Sequence, residues 1–156
     1  MAITQKGYTG MLADAGLVMR GKTVSHIDLV TLPSSPFWAR RHTEAMLKLW
    51  HAEYLIDTAD LLVSELVTNA VVFSGDGKPG PGLEGVRRIR LALRLLTSEL
   101  FIEVADPDPR PPVPVRGIAE DAENGRGLML VEALSREWNY YLPPSGGKVV
   151  YCVIEA

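Results

Sequence analysis

Two side chains in this sequence could do chemistry as a pair: Glu65 and Asn69, within Leu61-Leu62-Val63-Ser64-Glu65-Leu66-Val67-Thr68-Asn69-Ala70-Val71-Val72-Phe73. They stand four residues apart, so on a helix they stack one turn above the other on the same side. The stripe Ala59, Leu62, Val63, Leu66, Val67, Ala70 has helical spacing and is predicted to face a core, with Glu65 and Asn69 at its edge. A carboxylate and a carboxamide half sunk in apolar surface cost free energy unless something satisfies them. The candidates are an internal hydrogen bond, a bound water, or a metal with its ligand. The plain alternative is a Glu and an Asn that bond each other on a solvated flank.

Two later stretches carry similar potential. Asp106 ends a strand-like run and is followed by Pro107-Asp108-Pro109-Arg110-Pro111-Pro112-Val113-Pro114, where five prolines in eight residues exclude a regular helix or an inner strand. The loop this starts continues to Asn124, and loops of that length tend to be lids, binding loops or disordered. Gly125-Arg126-Gly127 then opens directly into Leu128, Met129, Leu130, Val131, Ala133 and Leu134, which reads as a helix. Glycines at a helix start let the backbone approach an anion, and the free N–H groups and the helix dipole favour phosphate. Glycines in an ordinary turn before a helix look the same.

The elements that must hold these residues can be read in order. Thr23 to Leu32 alternates as a first strand; Ser35 is predicted to cap a helix with Pro36 at its first position, running through Trp38, Met46 and Trp50. Asp57 is the expected N-cap of the Glu65/Asn69 helix. Ser74 to Gly82 is a Gly- and Pro-rich loop without the spacing of a phosphate-binding loop. Val86 to Leu96 alternates, with Ile89, Leu91, Leu93 and Leu95 on one side and Arg88, Arg90 and Arg94 on the other; Leu100, Ile102 and Val104 continue as its hairpin partner. The arginine row reads as a solvated face with Glu103 close enough to pair. Trp138, Tyr140 and Leu142 make a strand, and Lys148 to Ile154 a well-covered final one. The resulting fold class is α+β: a two-layer sandwich of a mixed or antiparallel sheet with helices on one face. Residues 1–22 read as a loosely ordered extension and residues 23–156 as one domain.

Composition excludes several classes. With 47% hydrophobic and 22% charged residues and a net charge of -3, the chain has neither the basicity that draws proteins to nucleic acid nor a membrane-spanning run. His26, His42 and His51 lack metal-ligand spacing, and the single Cys152 lies in an apolar run, which fits a reducing cytoplasm.

Glu65/Asn69 on a helix, Asp106 at a strand end and a Gly-x-Gly helix start after a lid occur here in the order that resembles the histidine-kinase-like ATPase domain, the Bergerat fold. Within it the chain resembles the small anti-sigma-factor serine kinases and their actinobacterial regulatory relatives. Ser64-Glu65-Leu66-Val67-Thr68-Asn69-Ala70 looks like that family's N-box, and Gly125-Arg126-Gly127-Leu128-Met129-Leu130-Val131 like its second glycine box. The resemblance implies ATP and Mg²⁺ as ligands. It implies Asn69 as the Mg²⁺ ligand, Glu65 as the general base, Asp106 as acceptor for the adenine amino group, and Gly125, Arg126, Gly127 and Leu128 at the phosphates, with residues 107–124 as the lid. A hard cation prefers oxygen ligands, and a carboxamide supplies one without adding charge. The implied partners are a sigma factor, an anti-sigma antagonist or both, with dimers usual among such kinases. The first glycine box departs from its usual Asp-x-Gly-x-Gly, reading Asp106-Pro107-Asp108-Pro109-Arg110. The ending Gly146-Gly147-Lys148-Val149 lacks the hydroxyl expected there.

Two functional classes follow. One is a cytoplasmic ATP-binding regulator that phosphorylates a serine on an antagonist; the other is a non-catalytic interaction module on a degenerate ATPase scaffold. A sensor histidine kinase lacks support, since His42 is followed by Thr43 rather than by an acidic residue. A nucleophilic hydrolase lacks a G-x-S-x-G elbow.

Overall fold

The structure, a computed structural model, describes residues 23–73, 87–112 and 127–156. The expected N-terminal extension, the Ser74–Gly82 loop, the lid beyond Pro112, and Gly125 and Arg126 lie outside the described residues. The elements are β1 (Thr23–Val30), α1 (Ser35–Leu49), α2 (Ile56–Phe73), β2 (Arg88–Leu95), β3 (Glu99–Asp106), α3 (Gly127–Leu134), β4 (Glu137–Tyr141) and β5 (Lys148–Glu155), with a short 3-10 turn at Glu53–Leu55. They form an α+β sandwich: a five-stranded sheet in the order β1-β2-β3-β5-β4, covered on one face by helices. Every strand pairing is antiparallel.

Alternation decides which face meets the helices. Ile89, Leu91 and Leu93 of β2, Leu100, Ile102 and Val104 of β3, and Val150, Cys152 and Ile154 of β5 join one core with the α2 stripe. That stripe is buried as its spacing requires: Ala59, Leu62, Val63 and Val67 are inaccessible, Leu66 and Ala70 nearly so. Each fully buried Leu or Val contributes roughly 1.5–3 kcal/mol, so this seam anchors α2 and fixes the rotation at which Glu65 and Asn69 emerge. Leu61 and Val72, on the far side of α2, are exposed. Burial also raises the Cys152 thiol to about 12, leaving it an inert core residue.

Three local expectations need correction. Ser35 is not the cap of α1: Ser34 holds that position without a side-chain bond, while the Ser35 hydroxyl is buried and donates to the Val30 carbonyl, tying the helix start to the end of β1. Asp57 does not cap α2 either. The 3-10 turn runs straight into the helix, so Asp57 falls in its first turn, where a negative charge suits the helix dipole. The arginine row is solvated only in part. Arg90 pairs with Asp28 at 2.6 Å near the surface, but Arg94 and Glu103 meet at 3.1 Å with side chains only 11% and 5% exposed. Their neighbours Phe101, Tyr151 and Val153 form a second apolar cluster on the face away from the helices.

Candidate functional site

Glu65 and Asn69 both lie half-buried on α2, where that helix passes α3. Among the described residues neither side chain takes a hydrogen-bond partner, so the reading in which they simply bond each other fails. Burial is the cause that raises the Glu65 carboxyl above the usual carboxylate range. A half-buried carboxylate without a partner is a proton acceptor whose basicity has been increased by its surroundings.

Gly127 explains how Glu65 is held. A Cβ on this first residue of α3 would lie 2.5 Å from Glu65 Oε2, closer than atoms approach without bonding. Glycine therefore leaves the space that the carboxylate fills, at a helix start whose N–H groups favour negative charge. The obstructing atom is the mobile end of a side chain, so Gly127→Ala should push Glu65 aside rather than unfold the domain. A melting temperature within about 2 °C of wild type, corresponding to a change under ~1 kcal/mol, together with a clear loss of any Glu65-dependent activity, is the expected pair of results. Leu128, next in line, is buried against the core. Its part is to seat α3.

Asp106 closes β3, on the same face of the sheet as Val104 and opposite Lys148 of β5. Their side chains are 2% and 4% exposed and meet at 2.9 Å, and Lys148 Nζ also reaches the Asp108 carbonyl at 3.0 Å. Burial pushes the Asp106 carboxyl up, and the Lys148 ammonium pulls it back. This ion pair was not anticipated, although a lysine opening an otherwise apolar strand was a visible signal.

The proline-rich segment after Asp106 is locked by simple bookkeeping of donors. Proline has no N–H, so among the four residues after Asp106, Pro107-Asp108-Pro109-Arg110, only Asp108 and Arg110 can donate from the backbone. Each does so to the carboxylate two residues before it: Asp108 N–H to Asp106 Oδ1 at 2.8 Å, Arg110 N–H to Asp108 Oδ1 at 2.9 Å. The result is two successive Asx turns. The Arg110 guanidinium also grips Asp108, holding its carboxyl at about 2, well below the ordinary value. A depressed carboxylate stabilises the fold above its unfolded pKa and loses that contribution as pH falls. Asp108→Asn should therefore lower stability by about 1 kcal/mol at pH 7, a figure reduced for the exposure of Arg110. The gap to wild type should close between about pH 4 and pH 2, as urea titrations at each pH would show.

From the other side, Gly147 presses on this segment with φ +69°; a Cβ there would lie 2.1 Å from the Asp106 carbonyl oxygen. The β4–β5 turn thus clamps the end of β3. A separate cavity of about 640 Å³ opens on the other face of the sheet, lined by Asp28, Arg90, Ala105 and Tyr141. It touches Asp106 and Lys148 but contains neither Glu65 nor Asn69.

A family model described as histidine kinase-like ATPase domain matches residues 38–153, a span running from α1 through β5. The chain belongs to the histidine kinase-like ATPase domain family. None of the curated proteins matches it. Membership supports an ATP-binding role for this ATPase-like domain, and the donor set fits such a ligand at the phosphate end. There the Glu65 carboxylate fills the space left by Gly127, the Asn69 carboxamide stands one turn further along α2, and neither takes a hydrogen-bond partner among the described residues. At the opposite end Asp106 keeps one acceptor position beyond those used by Lys148 and Asp108, on a side chain almost closed to solvent. Gly125 and Arg126 of the ATPase-like domain are outside the described residues. No helix among the described residues is long and apolar enough to cross a membrane.

Proposed function

We propose that this protein is an ATP-binding regulator that transfers a phosphoryl group to a serine of an antagonist protein, in the manner of anti-sigma-factor kinases. The observation that carries the reading is the Glu65–Gly127 contact, a carboxylate of raised basicity held at a helix start with no hydrogen-bond partner among the described residues. Asn69, one turn further along α2, would ligate Mg²⁺ through its carboxamide oxygen. Bound Mg²⁺ supplies charge neutralisation at the phosphates. Glu65 takes the proton from the serine hydroxyl as its oxygen bonds the terminal phosphorus and the bond to ADP breaks, so protein phosphoserine and ADP are the products. The amide N–H groups at the start of α3 would hold the phosphates, and Asp106 would accept a hydrogen bond from the base. A sigma factor and its antagonist are the proposed partners, with a homodimer and a cytoplasmic location proposed by the same likeness. Incubation with labelled ATP, Mg²⁺ and an antagonist encoded nearby tests this: label should appear on a serine with wild type and not with Glu65→Gln.

A second reading has its own observation. Asp106 is tied to Lys148 and held by the two Asx turns, which favours a fixed β3 end over one that adapts to a base. A non-catalytic module would bind its partner equally well with or without nucleotide, and Glu65→Gln would leave that binding untouched.

A further inference from the structure

The cavity on the face of the sheet away from the helices takes no part in the chemistry above. One row of the sheet makes its floor. Asp28 of β1 pairs with Arg90 of β2, Arg90 with Ala105 of β3, Ala105 with Val149 of β5, and Val149 with Tyr141 of β4. The residues next to these in their strands, Ile89, Val104, Val150 and Tyr140, pack in the core under the helices, so the row itself points the other way. Ala105 has the smallest side chain of the row. Its methyl leaves a hollow between the Arg90 side chain and the Tyr141 ring, which stand on strands three spacings apart, about 14 Å.

The rim of this hollow is stiff. Pro107 stands on one side, and Pro143 and Pro144 of the β4–β5 turn on the other. The Gly146 N–H closes that turn on the Pro143 carbonyl at 3.0 Å. Proline fixes its own φ, so a ligand would meet walls already in place and lose little to ordering them. The volume, about 640 Å³, is that of an ordinary small-molecule site, roughly 300–1,000 Å³.

Charge decides which small molecule suits it. Three cations, Arg88, Arg90 and Lys148, line the cavity against two carboxylates, Asp28 and Asp106. Lys148 and Asp106 neutralise each other at 2.9 Å, and Arg90 holds Asp28 through two bonds of 2.6 and 3.0 Å. Arg88 reaches Asp28 only at 4.0 Å, with its side chain 78% exposed. One positive charge is therefore in excess at the β2 side, while the β4 side offers the Tyr141 ring and the apolar surfaces of Leu142 and the two turn prolines.

We propose that this cavity binds a small aromatic monocarboxylate, its ring over Ala105 towards Tyr141 and its carboxylate on the Arg88 guanidinium. Two rings gain from an offset or edge contact, and the guanidinium fork matches a carboxylate. Neither Glu65 nor Asn69 lines the cavity, so binding here needs no nucleotide.

The probe is 2-naphthoate, titrated into the full chain carrying ¹³C-labelled alanine and valine methyls, with the cation 2-naphthylmethylammonium as its counterpart. Saturable shifts of the Ala105 and Val149 methyls are expected with naphthoate, at an affinity about tenfold or more above that of the cation. Arg88→Ala should weaken naphthoate binding about tenfold, the loss of one charge-assisted contact. Ala105→Leu fills the hollow and should abolish binding in a protein that melts like wild type. If that variant fails to fold, Arg88→Ala decides, since its side chain is exposed. No saturable binding, equal affinity for the cation, or unchanged affinity in Arg88→Ala overturns the proposal. Shifts confined to methyls outside the cavity overturn it as well.

Discussion

Replacing Lys148 by methionine should lower the stability of the fold by about 3–5 kcal/mol, because it strands the Asp106 carboxylate in a place where almost no water reaches it. Methionine matches the length and apolar stem of lysine, so packing is nearly kept and the loss reports the missing charge. The Asp108 N–H remains as a donor to Asp106, but a single neutral donor does not replace an ammonium at 2.9 Å. For a domain of this size the melting temperature should fall on the order of 10 °C. The double variant Asp106→Asn with Lys148→Met should recover most of it, since a buried ion pair is often no better than a neutral pair of the same volume. If Lys148→Met melts like wild type, the ion pair is not what closes the end of β3.

The second large effect concerns chemistry rather than folding. Glu65→Gln keeps the shape over Gly127 and removes the proton acceptor, so phosphoryl transfer should fall by about 10²–10⁴-fold, the range typical of a general base. Stability should stay level or rise slightly. Burial raises the Glu65 carboxyl, so at neutral pH its ionised form is held at a cost that glutamine does not carry, and no hydrogen bond among the described residues is lost. A fall in both activity and stability would mean that Glu65 holds α2 to α3. Equal activity in both proteins would remove the kinase reading and leave the interaction module.

Much of this was legible in the sequence because period decides faces. The order of strands and helices, the α2 stripe and the alternation in β2 and β3 follow from spacing alone, and the structure bears them out. Helix starts were less legible. Ser34 and Ser35 are chemically equal as caps, and a tertiary bond from Ser35 to Val30 decides between them. Long-range pairs were hidden as well: Asp106 and Lys148 are far apart in the chain, and only the β3–β5 register brings them together. Glu103 was a visible partner for Arg94, but their burial depends on what covers the outer face. At the site itself, the Glu65/Asn69 spacing gave the pair. That Gly127 leaves room for the carboxylate emerged only from the packing of α3.

Melting curves with and without Mg-ATP test the nucleotide site most directly. At a free ligand concentration 100 times the Kd, wild type should gain roughly 2.7 kcal/mol of stability. Asn69→Ala, whose side chain has no hydrogen-bond partner among the described residues, should melt like wild type without ligand and show little or no gain with it. A wild-type protein that melts at the same temperature with and without millimolar Mg-ATP would contradict the account.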